Sequence, residues 1–274
     1  MRVLWVSAHP DPRSLNGALR DAGVSALRQA GHEVVESDLY AMRWNPVVDH
    51  GDFQHDPAER LDVLTESERA LNEGTLRDDI RREQEKLLHA DTLVVQFPLW
   101  WFGMPAILKG WFDRLFIQGF AQGIPDPDTG RALRYGDGGL SGRRAFVLTT
   151  VGANAATTGP RGIHGDINDT LFPLLHGTLW YTGMSVLPPL VVNGAVRLSQ
   201  EEYEEAVEQL RKRLLTLPDT DPLPYRRQNG GDYDDHLLLR PGIAPGEEGI
   251  GIHWAKPDAG GECERAGGSS EAAR

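Results

Sequence analysis

The stretch DTLVVQFPLWWFG, residues 91–103, decides how the rest of the chain is read. Its first half is a short apolar run without polar alternation, as in a strand covered on both faces. Such strands belong to parallel sheets flanked by helices. A chain leaving a buried strand normally turns polar. Here Pro98 and Gly103 bracket two tryptophans and a phenylalanine instead. The segment that follows, MPAILKGWFDRLF (104–116), places Ile107, Leu108, Trp111, Phe112 and Leu115 at helical spacing.

Working outward, RVLWVSA (2–8) reads as a first strand, and Ser14 caps a helix through GALRDAGVSALRQA that ends at Gly31. HEVVESDLY (32–40) is a second strand. Residues 41–74 are polar with no strong pattern, and 75–90 form a charged helix. On the other side, 119–142 are rich in Gly, Pro and Asp and read as a surface loop. RAFVLTT (144–150) is a fourth strand. DINDTLFPLLHGTLWYTG (166–183) is a helix despite Pro173, and MSVLPPLVVN (184–193) is a fifth strand. Ser199 and Glu202 form a capping box for a helix over 199–217. Residues 218–274 form an extended tail, and its last residues, 257–274, have a disordered composition. Strands alternating with helices predict one α/β domain over 1–217, a doubly wound parallel sheet. Five strands favour the order 2-1-3-4-5. The glycine signature of a six-strand dinucleotide fold is missing after the first strand.

The totals exclude several partners. A net charge of −12 without a basic cluster argues against nucleic acid and anionic membrane surfaces. The single cysteine, Cys263, permits no internal disulfide framework and fits a reducing cytoplasm. No apolar run approaches the roughly 18 residues of a membrane span. HExxH, HxH and paired cysteines are absent from the sequence, so a metal site has no support, and no G-x-S-x-G points to a hydrolase nucleophile.

Open α/β sheets bind ligands beyond the carboxyl ends of their strands, where the strand order reverses. Three loops should converge there: HPDPRSLN (9–16), FPLWWFG (97–103) and TTVGANAATTGPRGIHGD (149–166). The first runs into a helix N-terminus, where amides and the helix dipole favour anions; His9, Arg13, Ser14 and Asn16 suit a phosphate. A plain turn and cap explains the same residues. The second loop places rings at a rim, where they suit a planar ligand, although core packing is the usual fate of such residues. The third exposes backbone amides and carries His164 between glycines, able to donate a proton or to bond a backbone carbonyl structurally.

FPLWWFGMPAILKGWFDRLF and GIHGD, with AHPDPRSLN at the start, resemble the NAD(P)H:quinone oxidoreductases of the DT-diaphorase type over residues 1–217. The resemblance implies a flavodoxin-like fold, a bound flavin, FAD with FMN as the smaller alternative, and a homodimer with each site at the subunit interface. It implies that NAD(P)H and a quinone use one pocket in turn. Carried over by position, His9, Arg13, Ser14, Leu15 and Asn16 would hold the pyrophosphate side, and Pro98, Leu99, Trp100, Trp101 and Phe102 would line the flavin ring. Thr149, Thr150 and Gly152 would meet its polar edge by backbone and hydroxyl. His164 would be the catalytic residue, sharing the substrate pocket with Trp101 and Phe102. The chain departs from the family in four places. Thr158 stands near a family tyrosine. Tyr135 is the one tyrosine of the 119–137 loop. Tyr203 replaces an arginine on the adenine side, and Trp180 replaces a metal-site histidine of one branch. Two other readings remain open. One is a flavin reductase of azo, nitroaromatic or biosynthetic quinone acceptors. The other is a non-catalytic redox regulator.

Overall fold

The computed structural model describes residues 1–255; Cys263 and the expected disordered end lie outside the described residues. Strands β1 (Arg2–Ser7), β2 (Glu33–Asp38), β3 (Thr92–Pro98) and β4 (Arg144–Thr150) pair in parallel in the order β2-β1-β3-β4. The fifth position differs from the single strand expected over 184–193. It is broken into β5 (Ser185–Val186) and β6 (Leu190–Val192), and both pairs run parallel to β4. Pro188 and Pro189 stand at the break, where they have no N–H for the ladder.

Alternation along the strands divides the core. Val3 and Trp5 of β1, with Val94, Phe146 and Leu148, face helices α1 (Leu15–Gln29) and α6 (Gln200–Leu215). Leu4 and Val6, with Leu93, Val95, Phe97 and Val147, face α3 (Asp78–His89), α4 (Ala106–Leu115) and α5 (Ile167–Leu174).

Three segments depart from the sequence reading. Residues 41–74 contain helix α2 (Val63–Glu73), capped by Asp62 and ended by Gly74. Its buried face is Ser67 and Ala70 while Val63 and Leu64 are exposed, so no apolar stripe marks it in the sequence. The preceding turns are pinned by Arg114 of α4, which is fully buried, bonds Asp52 at 2.6 Å and Asp79 at 3.0 Å, and lies 4.5 Å from the Trp44 ring. The helix expected over 166–183 changes character after α5: Pro173 has no N–H to continue the ladder, and Leu175–Trp180 form a π-helical segment. Part of the expected tail belongs to the core. Tyr225 is buried, Leu223 N donates to the Val186 carbonyl at 2.7 Å, and Tyr225 bridges Trp254.

Candidate active site

The loops after β1, β3 and β4 meet over the point where the strand order reverses. In the first, Ser14 caps α1 and its hydroxyl accepts from Gly17 N at 3.2 Å. A Cβ on Gly17 would stand 1.8 Å from the Pro12 carbonyl oxygen, so this loop closes on the helix only with glycine there. His9 Nδ1 lies 3.1 Å from the Asp11 amide. Arg13 is turned toward Asp11, with its guanidinium 3.1 Å from the carboxylate, and this contact holds Asp11 below the usual carboxylate range. The arginine is therefore paired on the outer surface, and a phosphate would compete with Asp11 for it.

The second loop is more constrained than its sequence suggests. Trp100 N donates to the Gly103 carbonyl and Gly103 N to the Trp100 carbonyl, each at 3.0 Å. The two residues between them, Trp101 and Phe102, have φ of 50° and 61°. Positive φ at both central residues is the pattern of a type I′ turn, usually filled by Asn and Gly. Two large aromatic residues there cost about 1–2 kcal/mol each. Gly103 closes the turn, and its own φ is not in the left-handed region. The result is a Trp101 ring that is 98% exposed.

In the third loop, Thr149 is fully buried and its hydroxyl donates to the Phe97 carbonyl at 3.0 Å. The Thr149 side chain is turned into the core, and Thr150 rather than Thr149 lines the crevice. Thr150 Oγ1 accepts from Asn16 Nδ2 at 2.9 Å and ties the third loop to the first. Asn154 caps a short 3-10 turn, Ala155–Thr158, and His164 N donates to the Thr157 carbonyl at 3.0 Å. These bonds bring the His164 ring 5.5 Å from Phe102. Thr158 is buried, with its hydroxyl 3.2 Å from Asn193 Oδ1.

Together the loops enclose three joined spaces. A central crevice of about 360 Å³ is lined by His9, Ser14, Leu15, Asn16, Pro98, Leu99, Trp100, Thr150 and Gly152. Through Leu99 and Gly152 it adjoins a chamber of about 210 Å³ walled by Trp101, Phe102 and His164. Through Ser14 and Leu15 it adjoins a trough of about 290 Å³ that runs past Arg13 and Ser199 to Tyr203. Ala195 and Val196 line both crevice and trough and were missed in the sequence, where they look like an ordinary turn after a strand. Only their place beside the β4 end marks them. Asn16 Oδ1 is buried and makes no hydrogen bond among the described residues.

A further space of about 360 Å³ lies between α5 and the C-terminal segment, lined by Tyr135, Phe172, His176, Tyr233 and His253. Tyr135 belongs here, 4.9 Å from the His176 ring, rather than to the crevice of its own chain. Burial pushes His176 down to about 4. Trp180 Nε1 donates to the Arg226 carbonyl at 3.2 Å and the ring packs on Tyr225. Among the described residues, no group of three or more His, Cys, Asp or Glu side chains could hold a metal, and no helix is long and apolar enough to cross a membrane.

Residues 1–214 match a family described as having a flavodoxin-like fold. The chain belongs to this flavodoxin-like family. Within the family it is similar to the ribosyldihydronicotinamide dehydrogenase-like protein of Penicillium crustosum, 44% identical over 92% of this chain and 95% of the relative. It is also similar to NAD(P)H dehydrogenase (quinone) 1 of Rattus norvegicus, 39% identical over 82% of this chain and 80% of the relative. A solved structure from Klebsiella pneumoniae, described as a candidate quinone reductase, superposes with a TM-score of 0.90 at 48% identity and covers 93% of this chain and 100% of its own.

Proposed function

We propose that this flavodoxin-like protein is a flavin-dependent NAD(P)H:quinone oxidoreductase with its flavin across the three loops. The observation that carries the reading is the continuity of chamber, crevice and trough. The flat ring system would lie between the backbone at Pro98–Trp100 and the loop at Thr150–Gly152, which both line the crevice. The capped N-termini of α1 and α6 both open on the trough, which suits a pyrophosphate. Tyr203 offers a face for adenine at its far end. FMN would leave that end unfilled, so the trough favours FAD. The unpartnered Asn16 Oδ1, on a residue lining the crevice, suits a ligand hydroxyl.

When bound, the flavin supplies a two-electron carrier that takes hydride from NAD(P)H and passes both electrons to the acceptor. The chain's own residues bind and orient. Trp101 and Phe102 present flat faces to a nicotinamide or quinone that enters the chamber in turn, and they displace water from it. His164 presents an imidazole nitrogen at the same wall, where it can hold a proton beside developing negative charge. The exposed apolar residues at the mouth, Trp101, Phe102 and Ile163, support a homodimer with its sites at the interface. A cytoplasmic setting is part of the same proposal.

The test is steady-state oxidation of NADH and NADPH by the purified protein with quinone, azo and nitroaromatic acceptors. The reading expects quinones to give the highest kcat/KM. Bound flavin without turnover, or a marked preference for a non-quinone acceptor, would overturn it.

A further inference from the structure

Directly beneath the crevice, three hydrogen bonds run in a line through the apolar core. Trp5 Nε1 donates to Gln96 Oε1 at 2.8 Å, Gln96 Nε2 donates to the Asn16 carbonyl at 2.7 Å, and Asn16 Nδ2 donates to Thr150 Oγ1 at 2.9 Å. All four residues are buried. Gln96 has apolar company on its face of the sheet, where Val94, Phe146 and Leu148 pack against α1 and α6. The pattern of that face calls for a leucine. A buried amide is costly unless both of its ends are bonded, and here both are.

The orientation of the Gln96 amide follows from its neighbours. An indole N–H can only donate, so the Gln96 oxygen must face Trp5; a main-chain carbonyl can only accept, so the Gln96 nitrogen must face Asn16. The line therefore has a fixed direction, from β1 through β3 to the first turn of α1 and on to the end of β4. It joins the bases of all three loops. The Gln96 carbonyl adds a fourth tie, accepting from Ala8 N at 3.0 Å where the first loop begins. Gln96 itself lines neither the crevice nor the chamber.

We propose that Gln96, anchored by Trp5, is a positioning residue that sets the N-terminus of α1 against the end of β4 and so fixes the spacing of the flavin cradle. The proposal rests on the flavin reading above. Gln96 touches no ligand and acts through Asn16 and Thr150. Without it, α1 keeps its packing on α6 and the Asn16–Thr150 bond but loses the bond that holds the Asn16 main chain to β3, so that remaining bond is no longer fixed in position.

The experiment uses the full-length protein and three variants that cut the line at different places. Gln96→Leu removes both bonds of the amide, Gln96→Glu keeps an acceptor for Trp5 but loses the donor to Asn16, and Trp5→Phe breaks only the first link. FAD affinity, the midpoint potential of the bound flavin at saturating FAD, and the melting temperature of the flavin-free protein are measured for each. The expected result is a Kd for FAD raised about tenfold or more in both Gln96 variants and about threefold in Trp5→Phe, with a shifted midpoint potential in the Gln96 variants. Trp5→Phe, which leaves a hollow in the core, is expected to lower the melting temperature most. If Gln96→Leu fails to fold, the other two carry the comparison. Wild-type FAD affinity and potential in the Gln96 variants, or losses of affinity that simply follow melting temperature, would overturn the proposal. A wild-type protein that takes up neither FAD nor FMN overturns the flavin reading itself, before any variant is compared.

Discussion

Two groups of aromatic residues stand within twenty positions of each other and meet opposite fates. Trp111 and Phe112 on α4 are almost fully buried and pack edge-to-face, with ring centroids 5.1 Å apart. The Trp111 indole donates to Glu83 at 2.9 Å, so even its polar atom is satisfied. Trp101 and Phe102 carry the same chemistry on a left-handed backbone and are 98% and 55% exposed. The first pair sits where helix geometry and burial agree. The second is held in a costly conformation that presents rings to the chamber, and backbone strain of this kind clusters at ligand sites. Residue type alone does not separate stability from function; backbone conformation and exposure do.

The largest expected effect comes from breaking the buried side. Trp111→Ala should destabilise the fold by about 3–5 kcal/mol in urea denaturation, since it opens a cavity and leaves the buried Glu83 without one donor. A loss below about 1 kcal/mol would remove the contrast between the two groups. The ring cluster of the C-terminal segment gives the next effect. His176 is surrounded by Phe172, Tyr135, Tyr225 and His253, and burial pushes its pKa down to about 4 from 6.5. Above about pH 6.5 it is neutral in both folded and unfolded chains and adds no pH dependence. As pH falls toward about 4 the unfolded chain takes the proton first, so stability drops over that window, by about 3 kcal/mol at most, and levels off below it. His176→Asn should flatten the thermal-stability profile there, and an unchanged profile would assign the slope to other groups.

The exposed side predicts changes in catalysis instead. His164→Ala should slow flavin reduction by NAD(P)H about tenfold in stopped-flow measurements, while wild-type rates would leave the histidine a structural role. Trp101→Ala should lower kcat/KM for quinones roughly three- to tenfold with stability within about 0.5 kcal/mol of wild type. Trp101→Gly sharpens the comparison further. It should raise stability by about 1 kcal/mol by relieving the positive φ, yet lose the same catalytic increment. A less stable glycine variant would mean that the turn is not strained.

The fold was legible because β1, β3 and β4 are short, largely apolar runs and the helices between them carry a period or a cap. The convergence of the loops was legible because three odd stretches had to meet at one reversal point. What escaped reading was decided by groups that carry no local pattern. Helix α2 hides its buried face behind Ser67 and Ala70. The break between β5 and β6 is written in Pro188 and Pro189, but its effect on pairing depends on β4. Thr149 and Thr150 are adjacent and alike, yet alternation buries the first against Phe97 and turns the second toward Asn16. Ala195 and Val196 reach the crevice only because β6 ends beside β4.

The central proposal is that one flavin dinucleotide fills crevice and trough and leaves the chamber for the substrates. The most direct measurement is the absorption spectrum of the purified protein, at about 450 nm for an oxidised flavin, followed by identification of the released cofactor and its ratio to protein. The account predicts a yellow protein with about one FAD per chain, and weaker FAD retention in Tyr203→Ala with FMN binding unchanged. A colourless protein that takes up neither FAD nor FMN would contradict it.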